Sequence, residues 1–271
     1  MFSITSKEFK QFSDYIRINY GINLGEEKKE LVARKLKGLV IQNNFENFSD
    51  YYNYIISGKC RDSVESLLNR ITTNHTFFMR EATHLYYFRD KVLPYLTSVI
   101  KDKDLRVWSA GCSTGEEAYI LAMFIDEYFK KDKALWDTSI LATDISSRVL
   151  EIAIKGKYSY EEILSLPPKW QKNYFKKIGN LNYIITDRIR NEVIFRKFNL
   201  IEEKFPFRRK FHVIFCRNVM IYFDAETKAK LVNKFYNSME YGGYLFIGLA
   251  ESLNRNETNF KYIMPSVYRK I

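Results

Sequence analysis

The chain has 271 residues, 46% of them apolar and 16% aromatic, which is ample for a real core and argues against disorder. Its 43 Lys and Arg outnumber 32 Asp and Glu by 11, an excess that admits nucleic acid, an anionic surface or an acidic protein as partner. Cys60, Cys112 and Cys216 are too few and too scattered for a disulfide framework, and His75, His84 and His212 form no CxxC or HxxH spacing, so no metal site is expected.

In chain order, MFSITSKEFKQF breaks up any apolar run at once, so no signal peptide is expected. The longest strongly apolar helix candidate, AYILAMFI (118–125), falls short of the ~20 residues a bilayer span needs. A soluble, cytoplasmic chain with no direct membrane insertion is the expectation. Residues 6–70 read as short amphipathic helices, so residues 1–70 are expected to form an all-helical domain. In EEKKELVARKLKGLVIQ (26–42), Leu31, Leu36, Leu39 and Val40 recur at near-helical spacing, with Lys and Arg on the other face. FENFSDYYNYIIS carries an aromatic stripe with a start at Ser49 and Asp50. Residues 71–95 read as a linker, ITTNHTFFMRE, and a helix through Leu93 that Pro94 ends or kinks.

From residue 104 the pattern changes. LRVWSA (105–110), SILATD (139–144), VIFRKFN (193–199), FHVIFC (211–216) and GYLFIG (243–248) are short apolar runs, separated in part by helical stretches at 115–130, 146–155 and 225–240. Such alternation predicts an α/β domain over 96–271 with a mostly parallel, doubly wound sheet. KYIMPSVYRK supplies a closing hairpin with Pro265 at its turn. Residues 156–192 fall out of rhythm and end in NYIITDRIR, which alternates like an antiparallel strand, so an excursion off the sheet is expected there. Residues 155–210 hold 14 basic against 6 acidic side chains, whereas 1–95 hold 14 against 11, so the basic excess is concentrated in one internal segment.

SAGCSTGEEAY (109–119) joins the first strand of this sheet to a helix, the place where nucleotide-like ligands bind in such folds. It is neither a P-loop nor a full GxGxxG, since only Gly111 and Gly115 are present. Glu116 and Glu117 themselves answer the positive end of the helix, which disfavours an anion there. Asp144 ends the second strand, from which an acid accepts hydrogen bonds from ribose hydroxyls. A ligand with a ribose, a cationic group and no phosphate fits, and S-adenosylmethionine (AdoMet) has these features.

Four stretches taken together are more specific. ITTNHTFFMRE, VWSAGCSTGEEAY, ATDIS and FHVIFCRNVMIYF, in this order, resemble the chemotaxis-receptor methyltransferase family, commonly called CheR, and the resemblance runs through GYLFIGLAESL over nearly the whole chain. It implies a class I AdoMet-dependent methyltransferase with an all-helical N-terminal domain and a small inserted antiparallel β-subdomain. It also implies transfer of methyl to glutamate side chains in the cytoplasmic helical region of methyl-accepting chemotaxis receptors, with S-adenosylhomocysteine as product and no metal. The family's cofactor contacts fall on Asn74, Thr76, Arg80, Glu117, Asp144, Asn199, Leu200, Arg217 and Asn218. Arg80, whose guanidinium suits a carboxylate, and Tyr222, just past the fourth strand, are the catalytic candidates.

The chain departs from the family pattern at Ala118, where proline is usual, and at GLAES (248–252), which lacks a common histidine and is given no role. IGNLNYI (178–184) is short in the loop that accompanies receptor-tail binding by strand addition, so no tail-peptide tether is expected, and nothing in the sequence demands more than a monomer. Two other readings stand beside this one. A nucleic-acid methyltransferase would suit the basic segment, but its [DN]PP[YF] motif is replaced here by CRNVMIYF, and LPPKW (166–170) has the wrong neighbours. A degenerate relative that binds AdoMet as a sensor would retain binding without transfer.

Overall fold

A capping box starts the first helix: the Thr5 hydroxyl accepts the Glu8 N–H, and the Glu8 carboxylate accepts the Thr5 N–H at 2.9 Å. The computed structural model describes residues 3–57, 61–71, 75–254 and 256–271. The chain divides into two compact units, residues 1–74 with 222–227, and residues 75–221 with 228–271.

The first unit is helical: α1 Ser6–Tyr20, α2 Lys29–Gln42, α3 Phe48–Ile56 and α4 Arg61–Ile71. Its buried side chains include Phe9, Phe12, Ile16, Leu36, Val40, Tyr51, Ile55 and Leu67. In α2 the inward stripe runs Val32, Leu36, Leu39, Val40, while Leu31 is 41% exposed. Positions 32, 36 and 40 repeat every four residues and share one helix face, and Leu31 falls off it. The start of α3 lies at Phe48 rather than at Ser49, because the Asn47 side chain accepts the Asp50 N–H and serves as the cap. An isolated antiparallel bridge joins Ile22 to Phe223, and the Tyr222 carbonyl accepts the Asn23 N–H at 2.7 Å.

The second unit opens with α5 Ala82–Tyr87, a π turn at Phe88–Val92 and α6 Leu93–Val99. Pro94 therefore does not end the helix, which continues to Val99. Proline has no N–H to return to the carbonyl four residues back, and the wider turn just before it, with Leu93 N–H reaching the Phe88 carbonyl, absorbs that loss.

The sheet then builds through β1 Val107–Ala110, α7 Glu116–Phe129, β2 Ile140–Asp144 and α8 Ser147–Lys155. The insert follows as β3 Lys157–Ser159, α9 Tyr160–Ile163, α10 Pro168–Tyr174, β4 Phe175–Ile178, β5 Asn182–Ile185 and α11 Asp187–Arg190. The chain returns in β6 Val193–Lys197, β7 Phe211–Cys216, α12 Ala225–Asn237, β8 Met239–Ile247, β9 Lys261–Met264 and β10 Val267–Arg269. The main sheet has the order β6-β2-β1-β7-β8-β10-β9, parallel from β6 through β8 and antiparallel in the last two strands. The β9–β10 hairpin turns at Pro265 and Ser266, as its sequence predicts.

Chain order runs outward from β1 through β2 to β6, then crosses to β7 on the other side of β1. The carboxyl ends of β1 and β7 thus flank a topological switch point, where such sheets hold ligands. The core on both faces is aromatic. Phe215 and Phe246, cross-strand partners in β7 and β8, stack at 4.3 Å with 4° between planes, and Phe88 meets Phe215 edge-on at 5.5 Å.

The insert carries its own antiparallel sheet, β3-β5-β4. NYIITDRIR is strand only through Ile185. Past it the chain turns helical as α11, on which Asp187 and Arg190, three residues apart, pair at 2.5 Å. The insert is tied to α7 by the buried Asp126, which accepts the Tyr174 hydroxyl at 2.9 Å and pairs with Arg188 at 2.8 Å.

Candidate active site

The loop after β1 needs left-handed backbone at two points, Gly111 (φ 90°) and Gly115 (φ 98°). A Cβ on Gly115 would lie 2.9 Å from the Ala153 Cβ on α8, so the close approach of loop to helix also demands glycine here. Between the two glycines, Ser113 N–H donates to one Asp144 oxygen at 2.9 Å, and Ser146 N–H donates to the other at 3.0 Å. Burial raises the Asp144 carboxyl, and these backbone donors oppose the rise. The carboxylate that ends β2 is thereby fixed beside the loop that ends β1. Phe198 N–H donates to the Asp144 carbonyl at 2.9 Å, which brings the stretch after β6, with Asn199 and the buried Leu200, to the same edge. The Asn199 side chain accepts the Ile201 N–H, and the Leu200 carbonyl accepts Lys234 Nζ at 2.8 Å.

At the other side of the switch point the two helix-start glutamates diverge. Glu116 is buried against Thr114 Oγ1 at 2.8 Å, and burial pushes its carboxyl up to about 7. Glu117 accepts the Ser109 hydroxyl at 2.7 Å on one oxygen and Arg217 Nη1 at 2.9 Å on the other. Arg217, only 4% exposed in its side chain, also reaches Glu81 from Nε and Nη2 at 3.3 and 3.2 Å and donates to the Arg80 carbonyl. Glu81 takes in addition Asn218 Nδ2 at 3.1 Å and the Leu249 N–H at 3.2 Å. Burial works to raise Glu81, but Arg217, Asn218 and the Leu249 N–H outweigh it and hold the carboxyl below its ordinary value.

A third carboxylate, Glu251, organises the rear of this edge. It accepts the N–H groups of Gly248, Asn218 and Ile221 at 2.6, 3.0 and 2.9 Å. Asn218 itself stands at φ 59°, and a Cβ on Gly248 would come within 2.5 Å of its Nδ2. The two loops after β7 and β8 therefore fit only with glycine at 248.

Of the sequence candidates, Arg80, Glu117, Arg217 and Asn218 share one bonded network, and Asp144, Asn199 and Leu200 gather beside it. Thr76 is half-buried in the segment leading to Arg80, whose Nη1 donates to the His75 carbonyl at 2.7 Å. Tyr222 belongs to the other compact unit. Asn74 lies outside the described residues. Glu81 and Glu251 were not among the candidates. Glu81 stands at the end of the ITTNHTFFMRE stretch and Glu251 within GLAES, so their positions carried a signal, but not their partners more than 100 and 30 residues away.

Two family models cover the chain, "CheR methyltransferase, all-alpha domain" over residues 7–72 and "CheR methyltransferase, SAM binding domain" over 74–268. The chain belongs to the CheR methyltransferase family. Its similar relatives include a chemotaxis protein methyltransferase of Borreliella burgdorferi, 40% identical over 99% of this chain and 95% of the relative. Another, from Vibrio parahaemolyticus, is 33% identical over 99% and 98%, and one from Pseudomonas aeruginosa is 32% identical over 98% and 99%.

This CheR chain is a class I AdoMet-dependent methyltransferase, and its edge chemistry fits that cofactor. The glycine loop leads into carboxylates, Glu117 and Asp144, rather than into a bare helix end flanked by lysine. Such a site suits ammonium, sulfonium and ribose hydroxyls better than phosphate. Among the described residues no cluster of three His, Cys, Asp or Glu could hold a metal ion, and no helix is long and apolar enough to cross a membrane.

Proposed function

We propose that this enzyme esterifies glutamate side chains on the cytoplasmic helices of chemoreceptors, leaving glutamyl methyl esters and S-adenosylhomocysteine. The relatives' names as chemotaxis protein methyltransferases support a chemotaxis substrate. The observation that carries the ester chemistry is that the site's carboxylates are committed to donors: Glu81 and Glu117 to Arg217, and Asp144 to two backbone N–H groups. They are set to hold a cationic, hydroxyl-bearing ligand. A glutamate acceptor asks for no base, since its pKa near 4.3 leaves it ionised at neutral pH.

Bound AdoMet supplies a methyl group already activated on a sulfonium. Asp144 and Glu117 hold its ribose and ammonium ends in this reading, and the loops bearing Asn199, Leu200, Arg217 and Asn218 complete the cradle. What remains for the protein is alignment and exclusion of water from the acceptor carboxylate. Arg80 is the group to hold that carboxylate in register, with some of its bonding given to the cofactor's own carboxylate, because a tight bidentate pair would dull the nucleophile. Tyr222, just past the strand that ends at Cys216, is the group proposed to orient the acceptor oxygen. The reading includes a monomeric, cytoplasmic enzyme.

The test is transfer of labelled methyl from AdoMet to receptor-containing membranes, followed by alkali. Release of the label as methanol is expected for a carboxyl ester. Label that resists alkali would mean methyl on nitrogen or carbon and would overturn the substrate class.

A further inference from the structure

Glu81 combines three unusual properties. Its backbone is left-handed, at φ 51° and ψ 53°, in a residue that is not glycine. Its carboxylate ties three separate segments together: its own, the loop after β7 through Arg217 and Asn218, and the loop after β8 through the Leu249 N–H. It also faces a fully buried histidine, His84, whose Nδ1 lies 3.5 Å from Glu81 Oε2 without a hydrogen-bond partner.

We propose that Glu81 is a positioning residue for cofactor binding, one that shares the Arg217 charge with Glu117 so that this charge does not fall on Glu117 alone. The inference rests on the AdoMet-dependent reading of the site. Arg217 is a buried guanidinium set between two carboxylates, with Glu81 on its Nε and Nη2 edge and Glu117 on Nη1. With Glu81 neutralised, Glu117 is the remaining carboxylate paired with that charge. The pair, already at 2.9 Å, then carries that whole charge, and Glu117 is left a weaker partner for any cationic group of a ligand. Held by Glu81, Arg217 fixes the orientation of Glu117 and leaves it acceptor capacity.

His84 gives this clamp a pH signature. Its Nε2 lies 3.2 Å from the Pro265 carbonyl, so the neutral ring donating there turns a lone pair toward Glu81. Burial, and then the Arg217 charge, depress its protonation, while the Pro265 carbonyl and Glu81 favour it. Below its pKa the ring gains a second N–H that competes with Arg217 and Leu249 for Glu81 Oε2. Acid therefore loosens the clamp through His84.

The experiment is calorimetric titration of AdoMet into the full chain and its Glu81→Gln, Glu81→Asp, Glu117→Gln and Glu81→Gln/Glu117→Gln variants at several pH values, with circular-dichroism melts as a check on folding. Glu81→Gln is expected to weaken binding about tenfold or more, Glu81→Asp less, because its charge is kept. The double variant should bind little worse than Glu117→Gln alone, since Glu81 acts through Glu117. Weakening of wild-type binding toward acid pH should shrink in His84→Gln. A folded Glu81→Gln that binds like wild type, or additive losses in the double variant, would overturn the clamp. Failure of the wild-type chain itself to bind AdoMet would overturn the cofactor reading along with it.

Discussion

Two neighbouring glutamates at one helix start are given opposite tasks by their surroundings. Glu117 is paired with Arg217, whereas Glu116 is buried with Thr114 and its carboxyl is raised to about 7, above its ordinary 4.5. A group that holds its proton more tightly when folded contributes stability that is complete below the unfolded value and is lost as pH rises through the folded one. Glu116→Gln, which does not titrate, is therefore expected to melt close to wild type near pH 4 and several degrees above it at pH 8. Equal melting differences at both pH values would refute the assignment. Arg80 and Asp144 separate in another way. Arg80→Ala should cut transfer about a hundredfold with the fold intact, and near-normal activity would refute its role. Asp144→Ala should chiefly raise the AdoMet dissociation constant, by about 10 to 100-fold for a charge-assisted bond, as equilibrium titration would show. The sequence already marked Asp144 and Glu117, because a strand end and a helix start are local features. Glu81 and Glu251 escaped notice because their work is done on chain more than 100 and 30 residues distant, and because a left-handed glutamate has no signature in composition.

Among the elements, the parallel strands were legible because each is a short apolar run buried on both faces, as in β7, where all six residues are buried. Helix α7 was equally plain from its apolar length. Where two local preferences compete, the sequence was a poorer guide. Pro94 reads as a helix end or a kink, and the π turn before it lets the helix run on. NYIITDRIR alternates like one strand, yet its second half is helical over Asp187–Arg190. The glycine loop was legible in kind but not in necessity, which lies in packing: α8 crosses so close that Ala153 touches any side chain at 115. Gly115→Ala combines that clash with an unfavourable φ of 98° and is expected to cost about 1–2 kcal/mol or more. A melting temperature lower by several degrees would register it, together with weaker AdoMet binding, whereas an unchanged melt would show that the loop can shift.

For the molecule as a whole, composition told less than topology. The net charge of +11 admitted nucleic acid, an anionic surface or an acidic protein, and it was CRNVMIYF in the place of a [DN]PP[YF] motif, not charge, that argued against the first. That Tyr222–Thr227 would join the amino-terminal helices was not readable, since the pairing of Ile22 with Phe223 spans about 200 residues and leaves no periodic trace. Strand addition of a receptor tail to the insert is a whole-molecule question too. The inserted sheet has edge strands of three and four residues, and β4 turns into β5 through Gly179, Asn180 and Leu181 alone. A receptor-tail peptide is expected to give no heat of binding in calorimetry, and micromolar affinity would refute the independence from a tether.

Helix α7 is buried without interruption from Ala118 to Asp126, with the glycine loop at one end and the insert fastened to Asp126 at the other. Such a segment opens to solvent only when the domain around it comes apart. Its amides should be among the last to exchange with deuterium, and AdoMet should slow them further by a factor that grows with the ratio of free ligand to its dissociation constant. The helix thus works as a built-in gauge: its exchange rate reports ligand occupancy at a distance, with no label placed in the site.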